Sequence, residues 1–183
     1  AGFIELLEHG WWTATRDPLF RYGLPQTRRL IEELPLRNVK AVDSNMPSFW
    51  QAYVPVLGHF LVLCSILERL ITFAYPGKSI NERLQGFIES ADAKSAARGL
   101  RPPPRKRIYS TDKLAEVEWS ATNPWEFWYQ VRCNAVHRGK SAQHDLPLIA
   151  NCARSMSKAL MTVLAGRLPD LAREWRDQEA TSP

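Results

Sequence analysis

Residues 44–67 contain no charged side chain, and no other feature limits the fold so tightly. An uncharged stretch of that length either crosses a bilayer or runs through the middle of a folded domain. Asn45, Pro47, Gln51, Pro55, Gly58, His59 and Ser65 fall inside it, and only residues 54–67 are densely apolar. Polar groups and prolines spread this way suit hydrocarbon poorly. The expectation is a central helix buried on most sides, with no membrane partner.

The rest of the chain reads as helix wrapped around that one. With 183 residues, 45% of them hydrophobic, there is enough apolar surface for a single core. "LPQTRRLIEEL" predicts a short helix, with Pro25 in its first turn and Leu30, Ile31 and Leu34 on one face. The central helix is expected over 55–75, carrying Val56, Phe60, Leu63, Leu67, Leu70 and Ile71 at helical spacing with Glu68 among them, and ended by Pro76-Gly77. Ser79 and Glu82 form a capping box opening the next helix. Its stripe is Ile80, Leu84, Phe87, Ile88 and Ala91, and Gly99 closes it.

"GLRPPPRKRIYS" then breaks the pattern, because three consecutive prolines cannot continue a helix. After a short segment over 113–120, Asn123, Pro124 and Glu126 signal another helix start. Trp125, Trp128, Val131 and Ala135 face the core, and Gly139 stops the helix. A long helix over 146–165 presents Leu148, Ile149, Cys152, Met156, Leu160 and Val163, and "PDLAREWRDQ" adds a last short one beyond Gly166 and Pro169. No β-hairpin signal, glycine-rich phosphate loop or internal repeat is visible. The fold class is an all-α bundle. Its divisions are an N-terminal helical extension over 1–45, the bundle over 46–168 with a basic proline-rich loop at 98–108, and a C-terminal helix and tail over 169–183.

Cys64, Cys133 and Cys152 include no C-x-x-C pair, so neither a zinc site nor a disulfide framework is expected. The segment "AGFIELLEHG" lacks the basic and long apolar regions of a secretion signal. Both readings point to the cytoplasm, with no cofactor. A net charge of +5 favours an anionic partner without requiring one. Six cations, Lys94, Arg98, Arg101, Arg105, Lys106 and Arg107, stand together with no carboxylate between Asp92 and Asp112. They form either an arm that grips RNA phosphates or a solvated loop. Trp119, Trp125 and Trp128 have the chemistry to stack on bases, but their spacing fits core packing better. His9, His59 and His144 have no partners at ligand spacing and are read as structural or solvated.

"YQVRCNAVHRGKS", residues 129–141, concentrates the chemistry. Arg132 offers a planar charged fork that matches phosphate oxygens. His137 can take and give protons near neutrality. The helix dipole favours its charged form, while Arg132, Arg138 and Lys140 oppose it. Five residues of helix turn by about 140°, so Arg132 and His137 do not share one narrow face. Asn134, three residues before His137, can bond to the His or to a substrate. The plain alternative is a helix end with solvated charges.

This stretch resembles the signature of HEPN domains, small helical bundles with an R-x4-6-H motif between their last two long helices. Here the motif is Arg132-Cys-Asn-Ala-Val-His137, led by an aromatic-rich helix and followed by Gly139, Lys140 and a long apolar helix. Cys133 stands where the family often has a polar residue, and Arg138 precedes Gly139 where Gly often follows the His directly. Glu68 in "SILERL" resembles an acidic position on an upstream helix of such domains. The resemblance covers residues 49–168. It implies a homodimeric, metal-independent ribonuclease in which His137 handles the proton, Arg132 steadies the phosphate and Asn134 orients one of them. Glu68 and Lys140 would support that site, with Arg105, Lys106, Arg107 and Arg138 holding RNA. The family setting also implies a toxin or antiviral-defence role, with an antitoxin or other partner protein. The alternative is a non-catalytic module that dimerises and binds RNA, a nucleotide or a partner. A DNA-binding regulator is disfavoured, because no helix-turn-helix pair is evident.

Overall fold

The computed structural model describes residues 16–33, 47–75, 77–110, 114–137 and 142–181. Leu34, Pro76, Arg138, Gly139, Lys140 and His9, most of the N-terminal extension, and the side chains of His137 and His144 lie outside the described residues. A π-helical turn, Leu19–Gly23, runs directly into α1 (Leu24–Glu33). Then follow α2 (Pro47–Ala74), α3 (Ile80–Glu89), α4 (Ala91–Ala97), strands β1 (Arg107–Ser110) and β2 (Ala115–Glu118), α5 (Trp125–His137), α6 (Ala142–Arg167) and α7 (Pro169–Thr181). The described chain is mostly helical.

The uncharged stretch becomes the centre of the molecule. Along α2, Phe49, Tyr53, Val56, Phe60, Leu63, Leu67, Leu70 and Ala74 are buried at alternating three- and four-residue steps. This stripe packs against α6 most extensively and also meets α1, α3 and α5. Fully burying each large apolar side chain contributes about 1.5–3 kcal/mol, so α2 carries much of the core. By length and composition α2 could also cross a membrane. Here its stripe is spent on the other helices, while Trp50 and Val54 remain exposed. The helix starts eight residues before the expected position, and Pro55 lies inside it. A proline forfeits the bond to the carbonyl four residues back and its ring crowds that carbonyl, but the aromatic packing of Phe49, Trp50 and Tyr53 holds the first two turns before it.

The helix expected to run unbroken to Gly99 is two helices. Ser90 is extended (φ −67°, ψ 154°), and its Oγ accepts the Ala93 amide at 3.2 Å, so it caps α4. At the start of α3, Ser79 Oγ accepts the Glu82 amide as the box requires, but the Glu82 carboxylate takes the Lys78 amide at 2.7 Å rather than that of Ser79. Gly99 has φ +75°, the left-handed conformation that glycine adopts without strain.

The segment after the prolines contradicts the expectation that no hairpin exists. β1 and β2 pair antiparallel, with Ile108 opposite Val117 and Tyr109 opposite Glu116. The Trp119 amide extends the ladder to the Lys106 carbonyl at 2.7 Å. Ile108 and Ser110 turn inward while Arg107 and Tyr109 face out, the two-residue alternation of a half-buried strand. Four residues alternate too briefly to register against the helical background. The partner strand is mostly exposed, so its stability comes from packing β1 on α5.

Helix α5 begins at Trp125, one residue later than expected. Asn123 does not cap it, since Asn123 Oδ1 is buried without a hydrogen-bond partner. The tryptophans are core, as expected. Trp125 sits edge-on to Phe87 and Trp128, with ring centres at 4.7 and 5.0 Å, and its indole N–H donates to the Ala93 carbonyl at 3.2 Å. That contact ties α5 to α3 and α4. Pro147 is accommodated near the start of α6, and the indole N–H of Trp175 in α7 donates to the Phe20 carbonyl at 3.1 Å. Phe20, α2, α6 and Trp175 thus share one continuous core.

Candidate functional site

The two sides of α5 do different things. Its α2-facing side carries Tyr129, Arg132 and Cys133. Arg132 Nη2 lies 3.5 Å from Glu68 Oε1 on α2, with 28% and 31% of the two side chains exposed. The guanidinium carbon also stands 5.8 Å from the centre of the Tyr129 ring. Partial burial pulls the Arg132 pKa down, but Glu68 outweighs it with help from Cys133 and Tyr129, and the net shift is upward. Arg132 is therefore a fixed cation. Burial raises the Tyr129 hydroxyl above its usual range, reinforced by Cys133 and Glu68 and opposed by Arg132. Cys64 lies one turn before Glu68. Burial pushes its thiol well up despite the opposing Arg132 charge, which makes it a packing group rather than a nucleophile.

Asn134 is two residues beyond Arg132, about 200° around the helix, and serves the opposite side. Its Oδ1 accepts from Gln130 Nε2 at 3.0 Å, and its Nδ2 donates to the Tyr109 carbonyl of β1 at 3.0 Å. The carboxamide thereby latches the hairpin to α5. Next to this latch is a cleft of about 210 Å³ over an apolar floor that includes Val131, Ile108, Leu148 and Ile149. Arg105, Arg107, Tyr109, Asn134 and Asp145 supply its polar wall. Arg105 Nη1 lies 3.6 Å from Asp145 Oδ1, and Arg107 Nε lies 3.5 Å from Glu118 Oε1. Lys106 is exposed between them. The cleft is smaller than the roughly 300–1,000 Å³ of sites for drug-sized ligands, and fits a single planar or phosphate-sized group.

The structure thus divides the expected site residues into two groups. Arg132 and Glu68 meet on one side of α5, while Arg105, Arg107 and Asn134 gather on the other. His137 ends α5, and its register puts its backbone position about 60° from Asn134 and about 40° from Cys133, between the two sides. Asp145, Tyr109 and Gln130 were not expected to matter. Asp145 carries no local signal, since only the fold of β1 against the start of α6 brings it to Arg105. Among the described residues, no group of three His, Cys, Asp or Glu side chains could hold a metal ion. No protein-family profile, curated protein or solved structure matches the chain.

Proposed function

We propose that the chain is a HEPN-like endoribonuclease that cuts RNA without a metal and works as a homodimer in the cytoplasm, in a toxin or defence setting with a partner protein. The Glu68–Arg132 pair supports this reading most directly. The two residues are 64 positions apart in sequence, were singled out on different helices, and face each other at 3.5 Å. In this reading the ribose 2′-oxygen attacks the adjacent phosphorus and the bond to the 5′-oxygen breaks. His137 takes the 2′-hydroxyl proton or delivers one to the departing oxygen. Arg132 balances the charge on the phosphate. The products are a 2′,3′-cyclic phosphate and a 5′-hydroxyl. Glu68 holds the guanidinium in orientation, and Asn134 acts as a positioning residue through the hairpin it fastens.

A second reading, a non-catalytic module that binds RNA, a nucleotide or a partner, draws on one observation. Within a single chain Glu68 holds Arg132 on the side of α5 away from Asn134. A second copy supplying its own motif would remove that objection. The deciding experiment incubates wild type, His137→Ala and Arg132→Ala with mixed cellular RNA and labelled oligonucleotides in EDTA. Cleavage by wild type alone, leaving cyclic-phosphate ends, is the expected outcome. Intact RNA with all three proteins, each keeping its far-UV circular dichroism, refutes the enzyme.

A further inference from the structure

On the face of α6 away from Asp145, a second and larger groove of about 470 Å³ runs between α1, α6 and α7. Four cations line it, Arg28 from α1, Arg154 and Lys158 from α6, and Arg176 from α7, against a single carboxylate, Glu32. Glu32 is taken by Arg28, 3.0 Å away and four residues earlier, and Arg28 also reaches Met161 Sδ at 3.2 Å. Arg154, Lys158 and Arg176 are exposed and form no ion pair among the described residues. In a chain whose net charge is only +5, three uncompensated cations in one concavity hold much of the excess.

We infer that this groove binds the phosphate backbone of single-stranded RNA. Lining residues on α6 run from Arg154 to Ala165, about 16 Å at 1.5 Å per residue. That length accommodates a short run of successive phosphates on one strand. Three of the four cations are guanidinium forks, which pair with phosphate oxygens two bonds at a time. The cations stand on walls from three helices, so a strand lying between them meets positive charge on several sides. A bilayer is flat and would touch only the rim. Trp175, although it lines the groove, is buried, so recognition is by backbone charge rather than by stacking on bases. The choice of RNA over an acidic protein segment rests on the ribonuclease reading, whereas a polyanion groove as such does not.

The test measures binding of a fluorescein-labelled 2′-O-methyl oligouridylate of about 15 nucleotides, which has no free 2′-hydroxyl to attack, by anisotropy across a salt series. The proteins are wild type, the groove variant Arg154→Gln/Lys158→Gln/Arg176→Gln, and a control with equal charge loss elsewhere, Arg29→Gln/Lys78→Gln/Arg173→Gln. Affinity is expected to fall about tenfold or more in the groove variant only. The slope of log affinity against log salt should drop by about 2, at roughly 0.7 per lost contact. No binding by wild type, equal losses in both variants, or no loss in either overturns the inference. Polyglutamate and phosphatidylserine vesicles are run in parallel. Groove-dependent binding of either one, with RNA binding unchanged, reassigns the surface to an acidic protein or a membrane. If RNA binds through the groove while nothing is cut in EDTA, only the ribonuclease reading fails.

Discussion

Replacing Trp125 tests whether α5, and with it the motif, is positioned by the aromatic seam. Trp125 has no exposed surface. An aromatic side chain of this kind buries about 150–250 Å², worth about 4–6 kcal/mol at ~25 cal/mol per Å². Core aromatic-to-alanine changes cost about 3–5 kcal/mol in practice, so Trp125→Ala should cost about 4 kcal/mol. Trp125→Phe keeps an aromatic edge against Phe87 and Trp128 but loses the indole bond to the Ala93 carbonyl. It should cost about 1–2 kcal/mol. Urea unfolding followed by circular dichroism at 222 nm is the assay, because the substitution removes a fluorophore. With a slope near 2 kcal/mol per molar, Trp125→Ala moves the midpoint by about 2 M. A double-mutant cycle with Phe87→Leu should give a coupling of about 0.5–1.5 kcal/mol. A cost below about 1.5 kcal/mol for Trp125→Ala, or equal costs for Ala and Phe, would refute the seam as the element that fixes α5.

Three further outcomes follow from the same geometry. A cycle of Glu68→Gln and Arg132→Gln should show a coupling of about 0.5–1 kcal/mol, because both groups are nearly a third exposed and solvent screens them; a value of zero dissolves the pair. Ser90→Ala should cost about 1 kcal/mol and raise amide exchange at Ala93, whose N–H the hydroxyl accepts; unchanged exchange there removes the cap. Burial raises the thiol pKa of Cys64, which Arg132 opposes, and of Cys152, which Cys64 reinforces. An acid whose folded pKa lies above its unfolded value leaves stability whole below the unfolded pKa of about 8.5. Stability is then lost as pH rises, by up to about 1.4 kcal/mol per pH unit for each thiol. Urea titrations at several alkaline pH values on wild type and Cys152→Ala check this, and a smaller alkaline loss in the variant is expected.

Helices were legible because their signals are local. Apolar residues recurring every three or four positions marked the stripes of α2, α5 and α6, and the tryptophans of α5 were read as core from spacing alone. Ser79, with Glu82, marked the start of α3 through the hydroxyl–amide bond a serine makes three residues on. The uncharged stretch was legible as the central element, since a run without charge has to be enclosed by something. Breaks within helical runs were less legible. Ser90 signals a cap as plainly as Ser79, yet it sits in a helical pattern, and only packing α4 on α6 selects the break. Pro55 was read as a start because a proline favours that place locally, whereas the aromatic cluster before it holds two further turns.

The hairpin and the sites belong to the tertiary structure. β1 is stable because α5 covers Ile108 and Asn134 holds the Tyr109 carbonyl, contacts made across about 25 residues. Sequence spacing placed Arg132, Asn134 and His137 in one motif, and helix geometry warned that they would not share a face. Which side each residue serves depended on what the neighbouring helices offered, Glu68 from α2 on one side and the hairpin on the other. Arg154 and Lys158, four apart, could be read as neighbours on a helix. Arg28 and Arg176 join them only when α1 and α7 pack beside α6, because charge becomes a groove through the distances between helices, and one chain's local periodicity does not encode those distances.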